Sequence, residues 1–194
     1  MTYASVADRD AIEAESAWED RPMPVTLHQM LEKTATTHAS RNALTYQLLS
    51  DPKAKAETLS WTQLLEKTNQ TANLFHELGV GENDVVAFLL PNATETALTY
   101  LGGAVAGIVN PINPLLDANQ IASILRETGA KVLVTLRAFP KTDVAQKAAE
   151  AVRLAPNVHT ILEVDLLRYL TGVKKLIVPL IRPKVDIQHR AKVL

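Results

Sequence analysis

Val85-Val86-Ala87-Phe88-Leu89-Leu90 is an unbroken apolar run that stops at Pro91-Asn92. Successive side chains of a strand point to opposite faces of a sheet, so a strand with one wet face alternates polar and apolar residues. Six apolar residues without alternation predict a strand covered on both sides, which is the position of a central parallel strand. Parallel neighbours cannot be joined by a tight turn, so the flanking sequence must supply crossover helices.

It does so repeatedly. Asn92 and Glu95 are placed to cap a helix carrying Leu98, Leu101 and Val105, and Ile108-Val109 follows as a short strand. A helix from about Asp117 to Glu127 turns Ile121, Ile124 and Leu125 inward and stops at Gly129, ahead of a strand at Val132-Leu133-Val134. A helix through Val144, Ala148 and Val152 leads to a strand at Ile161-Leu162. This rhythm predicts an α/β fold, a layered parallel sheet with right-handed crossovers and helices on both faces. Upstream, Thr26 with Gln29 and Ser60 with Gln63 have capping-box spacing. Between those helix starts, Ala43–Leu48 and Glu57–Trp61 flank Asp51-Pro52-Lys53 as a small N-terminal β-hairpin. The second helix carries Leu64, Leu65, Thr68, Ala72, Phe75 and Leu78 on one face and ends at Gly79.

Charge divides the chain. Residues 1–25 form an acidic leader and linker, with Asp8, Asp10, Glu13, Glu15, Glu19 and Asp20 against Arg9 and Arg21, closing on Pro22-Met23-Pro24. Residues 26–165 carry the α/β pattern. In 166–194 seven basic residues face one acid, Asp186, among Leu166, Leu167, Leu170, Val173, Leu176, Ile177, Val178, Leu180 and Ile181. The net charge of −1 argues against nucleic acid as a partner, since phosphate binding needs surplus Lys and Arg. Without cysteine there is no disulfide framework or thiolate metal site. The start lacks the basic and apolar regions of a secretory signal, and no run approaches the ~18 apolar residues of a span, so a cytoplasmic location is expected.

The search for chemistry returns little. Gly79-Val80-Gly81 follows a helix rather than a strand and has Asp84 where a third glycine would stand, so it reads as a cap and turn. Gly102, Gly103 and Gly107 read as close-packing positions. His28, His38, His76, His159 and His189 have no metal-ligand spacing with a carboxylate, and His28 with Glu32 reads as a surface pair. No catalytic, cofactor-binding or metal residue is assigned. The loop Asn110-Pro111-Ile112-Asn113-Pro114 is different in kind, because two prolines fix φ and two asparagines can bond back to the backbone. Asn110, Pro111, Asn113 and Pro114 are expected to form a rigid structural loop at the sheet edge where ligands of α/β proteins bind.

In order, Thr26-Leu27 through Leu31-Glu32, Ala43-Leu44-Thr45-Tyr46, Leu59 through Leu64, Asn69 to Leu74, Leu78 through Gly81, Asp84 through Ala87 and Leu89 through Asn92 form an ordered set. It continues with Glu95, Gly103 through Gly107, Asn110 through Pro114 and Gly129 through Val134. The set resembles the start of the adenylate-forming superfamily, over most of residues 26–165, and its Asn-Pro-Ile-Asn-Pro wording is closer to acyl- or fatty-acid ligases than to peptide-synthetase domains. The resemblance implies the N-terminal subdomain of an AMP-forming acyl-CoA synthetase, whose full-length parent uses ATP, Mg²⁺ and CoA. It also implies a Ser/Thr/Gly-rich phosphate loop ending in Pro-Lys-Gly, and this chain has no serine after Ser123 and only Gly172 after Gly129. The chain is therefore expected to be a fragment that binds no cofactor and is inactive alone.

The 166–194 tail matches the family poorly and is expected to be a truncated continuation. It is expected to contact the remainder of the synthetase, to self-associate through exposed apolar surface, or to lie peripherally on an anionic membrane. The alternative is a stand-alone, non-catalytic α/β binding or regulatory module. A flavodoxin-like cofactor protein is disfavoured, because Pro91-Asn92-Ala93 offers phosphate neither a glycine nor a hydroxyl.

Overall fold

The structure, a computed structural model, describes residues 5–17, 20–21 and 24–193. Pro22 and Met23 of the expected linker lie outside these. Helices α1 (Val6–Glu15) and α2 (Leu27–Thr37) come first, followed by strands β1 (Asn42–Gln47) and β2 (Ala56–Ser60) and helix α3 (Trp61–Glu77). Then come β3 (Val85–Leu89), α4 (Thr94–Ala106), β4 (Ile108–Pro111), α5 (Ala118–Thr128), β5 (Val132–Leu136), α6 (Val144–Arg153) and β6 (Thr160–Val164). A 3-10 turn at Leu166–Tyr169, α7 (Gly172–Ile181) and β7 (Arg190–Val193) complete the chain.

β1 and β2 pair antiparallel as the expected hairpin, and the other five strands form a parallel sheet in the order β4-β3-β5-β6-β7. Every residue of β3 and of β5 is buried, as the apolar run of β3 requires, and in β5 the buried Thr135 hydroxyl donates to the Leu89 carbonyl at 3.3 Å. The order reverses about β3, since the chain leaves β3 toward β4 and then crosses back to β5. Right-handed crossovers put α4 on one face and α5 and α6 on the other. The contacts agree, α3 lying on α4 and α5 on α6.

Capping follows local chemistry. Ser60 and Gln63 form the reciprocal box predicted for α3, and Asp117 and Gln120 form another at α5. At α2 the box is incomplete: Thr26 accepts from the Gln29 amide at 3.1 Å, but the Gln29 side chain reaches Val25 N–H at 3.0 Å. Gly79 and Gly129 adopt the left-handed φ of +81° and +66° that ends a helix.

The structure corrects the expected inner face of α4 and adds detail to the two terminal segments. The 1–25 leader contains α1, started by a Ser5–Asp8 capping box, although the helix buries none of its residues. α4 turns its small and polar residues, including Thr99, Gly102, Gly103 and Ala106, into the interior. Leu98 and Leu101 instead join a second apolar cluster around Leu31, Leu59 and Leu64. The 166–194 segment does not stand apart. Leu166, Tyr169, Leu170 and Ile187 are buried, and β7 adds a parallel strand to β6.

Candidate functional site

Strands β3, β5 and β6 end side by side, and the segments after them converge on one edge of the sheet. In open α/β sheets ligands bind outside the carboxyl ends of strands, where the strand order reverses. That edge holds a cluster of polar and charged side chains contributed by the hairpin, α4 and the turn after β6.

Glu95, in the first turn of α4, is buried, although the sequence places it as a helix cap. The α4 N-cap is Ala93, which has no side-chain bond to offer. Glu95 looks across the edge instead, toward the 3-10 turn after β6. Arg168 donates one guanidinium nitrogen to Glu95 Oε1 and another to Glu57 Oε1 of the hairpin. The Tyr169 hydroxyl donates to Glu95 Oε2 at 2.7 Å and lies 3.1 Å from Glu57 Oε2. Tyr46 of β1 meets the Tyr169 ring edge-on, with centroids 4.8 Å apart, and Arg168 lies 5.0 Å from the centre of that ring. Lys55 Nζ donates to the Arg168 carbonyl at 3.2 Å. One guanidinium thus ties together the hairpin, the start of α4 and the end of β6.

The electrostatics follow from this geometry. Burial works against the Arg168 cation, but the charges of Glu95, Tyr169 and Glu57 outweigh it and raise its pKa above the ordinary arginine value. Burial pushes the Tyr169 phenol well above its ordinary 10.0, Glu95 adding to the rise while Thr94 and Arg168 oppose it. Burial and then the Glu95 charge raise Tyr46 in the same direction.

A second node lies beside the first. Asp165 caps the 3-10 turn by accepting from Leu167 N–H at 3.0 Å. Arg182 binds it through two parallel bonds of 2.9 Å, and Arg137 adds a third at 3.0 Å. Burial would raise the Asp165 pKa, but the Arg182 bond, the Leu167 amide and both guanidinium charges hold it below the ordinary 3.8. A groove of about 450 Å³ opens here between Arg137, Glu163, Leu180 and Lys184. Another, of about 520 Å³, runs between α3 and α4 down to Glu95 and Leu162.

Asn110, Pro111, Asn113 and Pro114 lie at the carboxyl end of β4, apart from the Glu95–Arg168 cluster. The Asn113 side chain accepts from Leu115 N–H at 3.0 Å, and Ile112 N–H reaches Phe88 O at 2.9 Å. Lys147 Nζ donates to the Pro114 carbonyl at 3.2 Å, and Asn110 reaches Thr128 Oγ1 at 3.4 Å. Ile108 and Ile112 donate their amides toward β3, so the amide positions of 109 and 111 face away from the sheet. Proline therefore sits where no ladder bond is lost.

The other sequence candidates settle into structural positions. His28 contacts Glu32 at 3.6 Å and also Asn69 at 2.9 Å, joining α2 to α3. Gly81 N–H donates to Asp84 at 2.9 Å in a turn. No group of three or more His, Asp or Glu that could hold a metal occurs among the described residues.

What sequence reasoning missed is the set Glu57, Glu95, Arg168 and Tyr169. The local signal present was Asp165 two residues before Leu167, which marks a turn start. Nothing local joins Arg168 to acids more than 70 positions away.

Fold and site together define an α/β protein with a doubly covered parallel sheet and a polar carboxyl edge. The chain belongs to the AMP-binding enzyme family, whose model matches residues 31–178, well over half of it. It is similar to the marinolic acid–CoA ligase of Pseudoalteromonas sp. (strain SANK 73390), 39% identical over 92 residues, which are 47% of this chain and 14% of the relative. It is similar to the crotonobetaine/carnitine–CoA ligase of Salmonella paratyphi A (strain ATCC 9150 / SARB42), 34% identical over 114 residues, which are 58% of this chain and 22% of the relative. Among solved structures it shares the fold of the anthranilate CoA ligase AuaEII in complex with anthranoyl-AMP. The TM-score is 0.59 at 22% identity, over 75% of this chain and 26% of the other. The chain thus spans less than a quarter of the two curated relatives' length. The resemblance to AMP-forming acyl-CoA synthetases holds. Among the described residues no helix is long and apolar enough to cross a membrane.

Proposed function

We propose that this chain is a framework segment of an AMP-forming acyl-CoA ligase and does not activate a substrate by itself. The parent reaction joins a carboxylic or fatty acid to CoA through an acyl-adenylate, consuming ATP and releasing AMP and pyrophosphate. Charge on the transferring phosphoryl group must be neutralised by positioned cations and amides. The observation carrying the proposal is that Arg168 and Arg182, the arginines best placed on the carboxyl edge, are already engaged by carboxylates of the same chain. Glu57, Glu95 and Asp165 leave little positive charge free there for a triphosphate. The framework holds the sheet, and the phosphate loop and C-terminal catalytic groups belong to other sequence. The remainder of a synthetase is accordingly the expected partner of this chain, with ATP, Mg²⁺ and CoA serving the assembled enzyme.

Incubation of the 194-residue chain with ATP, Mg²⁺ and a panel of carboxylic and fatty acids tests this through ATP–pyrophosphate exchange. No exchange is expected, and clear exchange overturns the proposal.

One observation favours a second reading, a non-catalytic binding or regulatory module: residues 166–193 add a strand to the sheet and bury Tyr169, Leu170 and Ile187. The coding sequence beyond codon 194 separates the readings. A continuous frame encoding a Ser/Thr/Gly-rich loop ending in Pro-Lys-Gly favours the ligase segment, and a stop followed by unrelated sequence favours the module.

A further inference from the structure

Val173, Leu176, Ile177, Leu180 and Ile181 recur at the i, i+3, i+4, i+7, i+8 spacing that lines one face of a helix. In a helix packed on its own domain, that stripe turns inward. In α7 it turns outward: the five side chains are 69, 73, 45, 83 and 60% exposed, and no residue of the helix is buried. The outward stripe is not a frayed end, because α7 is fixed on both sides. Tyr169 is buried just before it, and Arg182 is locked to Asp165 just after it.

The charges on α7 itself have one sign, while Asp51 at its start and Glu163 and Asp186 at its end line the neighbouring clefts. Lys174 and Lys175 are exposed on the same helix, off the line of the five apolar residues. At the N-terminal end of α7, Lys53 and Lys55 of the hairpin turn share a cleft with Val173 and Lys174, and Asp51 is the acid lining it. Lys184 follows the helix, and no acid occurs from Leu166 through Val185. An apolar stripe facing solvent and flanked by lysines is the arrangement of helices that lie in a bilayer interface, with the stripe among acyl chains and the ammonium groups reaching the headgroups. Lysine is depleted in protein–protein interfaces relative to the rest of a protein's surface, so a second protein fits this lysine-bordered stripe less well. At ten residues α7 is too short to span, which requires about 20.

We propose that α7 docks this protein onto an anionic lipid surface, with Val173, Leu176, Ile177, Leu180 and Ile181 in the interface and Lys174 and Lys175 against acidic headgroups. Docking of this kind requires no catalysis and stands apart from the ligase reading.

The test is cosedimentation of the 194-residue chain with phosphatidylcholine vesicles, with and without phosphatidylserine, at low and high salt. Binding is expected on the phosphatidylserine vesicles, weakening as salt rises. Leu176→Glu/Leu180→Glu and Lys174→Glu/Lys175→Glu are each expected to reduce it by at least about tenfold while circular dichroism stays unchanged. Three results overturn the proposal: equal binding to neutral vesicles, binding unaffected by either pair of substitutions, or no binding at all. The proposal also fails if the lipid-free chain forms dimers that Leu176→Glu/Leu180→Glu abolishes while vesicle binding persists, because the stripe would then be covered by a second copy.

Discussion

Glu95 and Arg168 are 73 positions apart and form an ion pair at the carboxyl edge of the sheet, with the Glu95 side chain 8% exposed and that of Arg168 43% exposed. Removing either partner leaves the other without its main counter-charge in a partly dry site, which destabilises more than an exposed pair would suggest. Glu95→Ala and Arg168→Ala are each expected to lower unfolding free energy by roughly 1–3 kcal/mol in urea melts. The double variant should lose clearly less than the sum of the two. Strict additivity would show that the pair contributes no coupling.

The raised phenols make an alkaline prediction. A group whose folded pKa exceeds its unfolded value contributes stability that is fully present below the unfolded pKa. That stability is lost as pH rises, because the unfolded chain releases the proton first. For Tyr169 and Tyr46 the unfolded value is near the ordinary 10.0, so stability should begin to fall above about pH 10. Tyr169→Phe should flatten that decline in melts followed across the alkaline range. A decline of unchanged slope would show that Tyr169 does not drive it.

Asp165 makes the opposite prediction. Its folded pKa is depressed below 3.8, so its contribution is present above that value and disappears as pH falls through the folded pKa. Asp165→Asn should weaken the acid dependence of stability below about pH 4. Asp165→Ala strands Arg182, whose side chain is 11% exposed, and should cost about 3 kcal/mol at neutral pH. Chemical denaturation at pH 7 and pH 3 measures both.

Two glycines are sites of close approach. A Cβ on Gly107 would lie 2.6 Å from the carbonyl oxygens of Asp84 and Gly81, backbone atoms with little room to move. A Cβ on Gly102 would lie 2.7 Å from Thr71 side-chain atoms, which fixes how closely α4 sits on α3. Gly107→Ala and Gly102→Ala should each cost about 1–3 kcal/mol, Gly107→Ala the more. Gly81→Ala meets nothing closer than 3.6 Å and should stay within about 0.5 kcal/mol of the parent. Thermal melts of the three rank the effects.

The sheet was legible because burial on both faces leaves a local mark. Val85–Leu89 and Val132–Leu136 carry it in their own composition. The capping box at Ser60 was legible for the same reason, since both partners lie within four residues. The inward face of α4 was not. Gly102 is small because Thr71 of α3 comes close and Gly103 because Val109 of the sheet does, demands set by neighbours rather than by anything within α4. The carboxyl-edge cluster was hidden more deeply. Glu95 has the spacing of a helix cap and Arg168 the setting of a basic tail, and only the folded sheet brings them together. α7 was half legible: its apolar and basic content stood out, but the direction in which the stripe faces is a property of the packed domain.

Pro111 has an effect beyond the chain itself. β4 is an outer strand, and on its open side the amide positions belong to Val109 and Pro111. A stray strand from another molecule laid along that border would find one donor and then a ring with no hydrogen to give. Pro111 therefore discourages edge-to-edge growth into aggregates at this point of the flank.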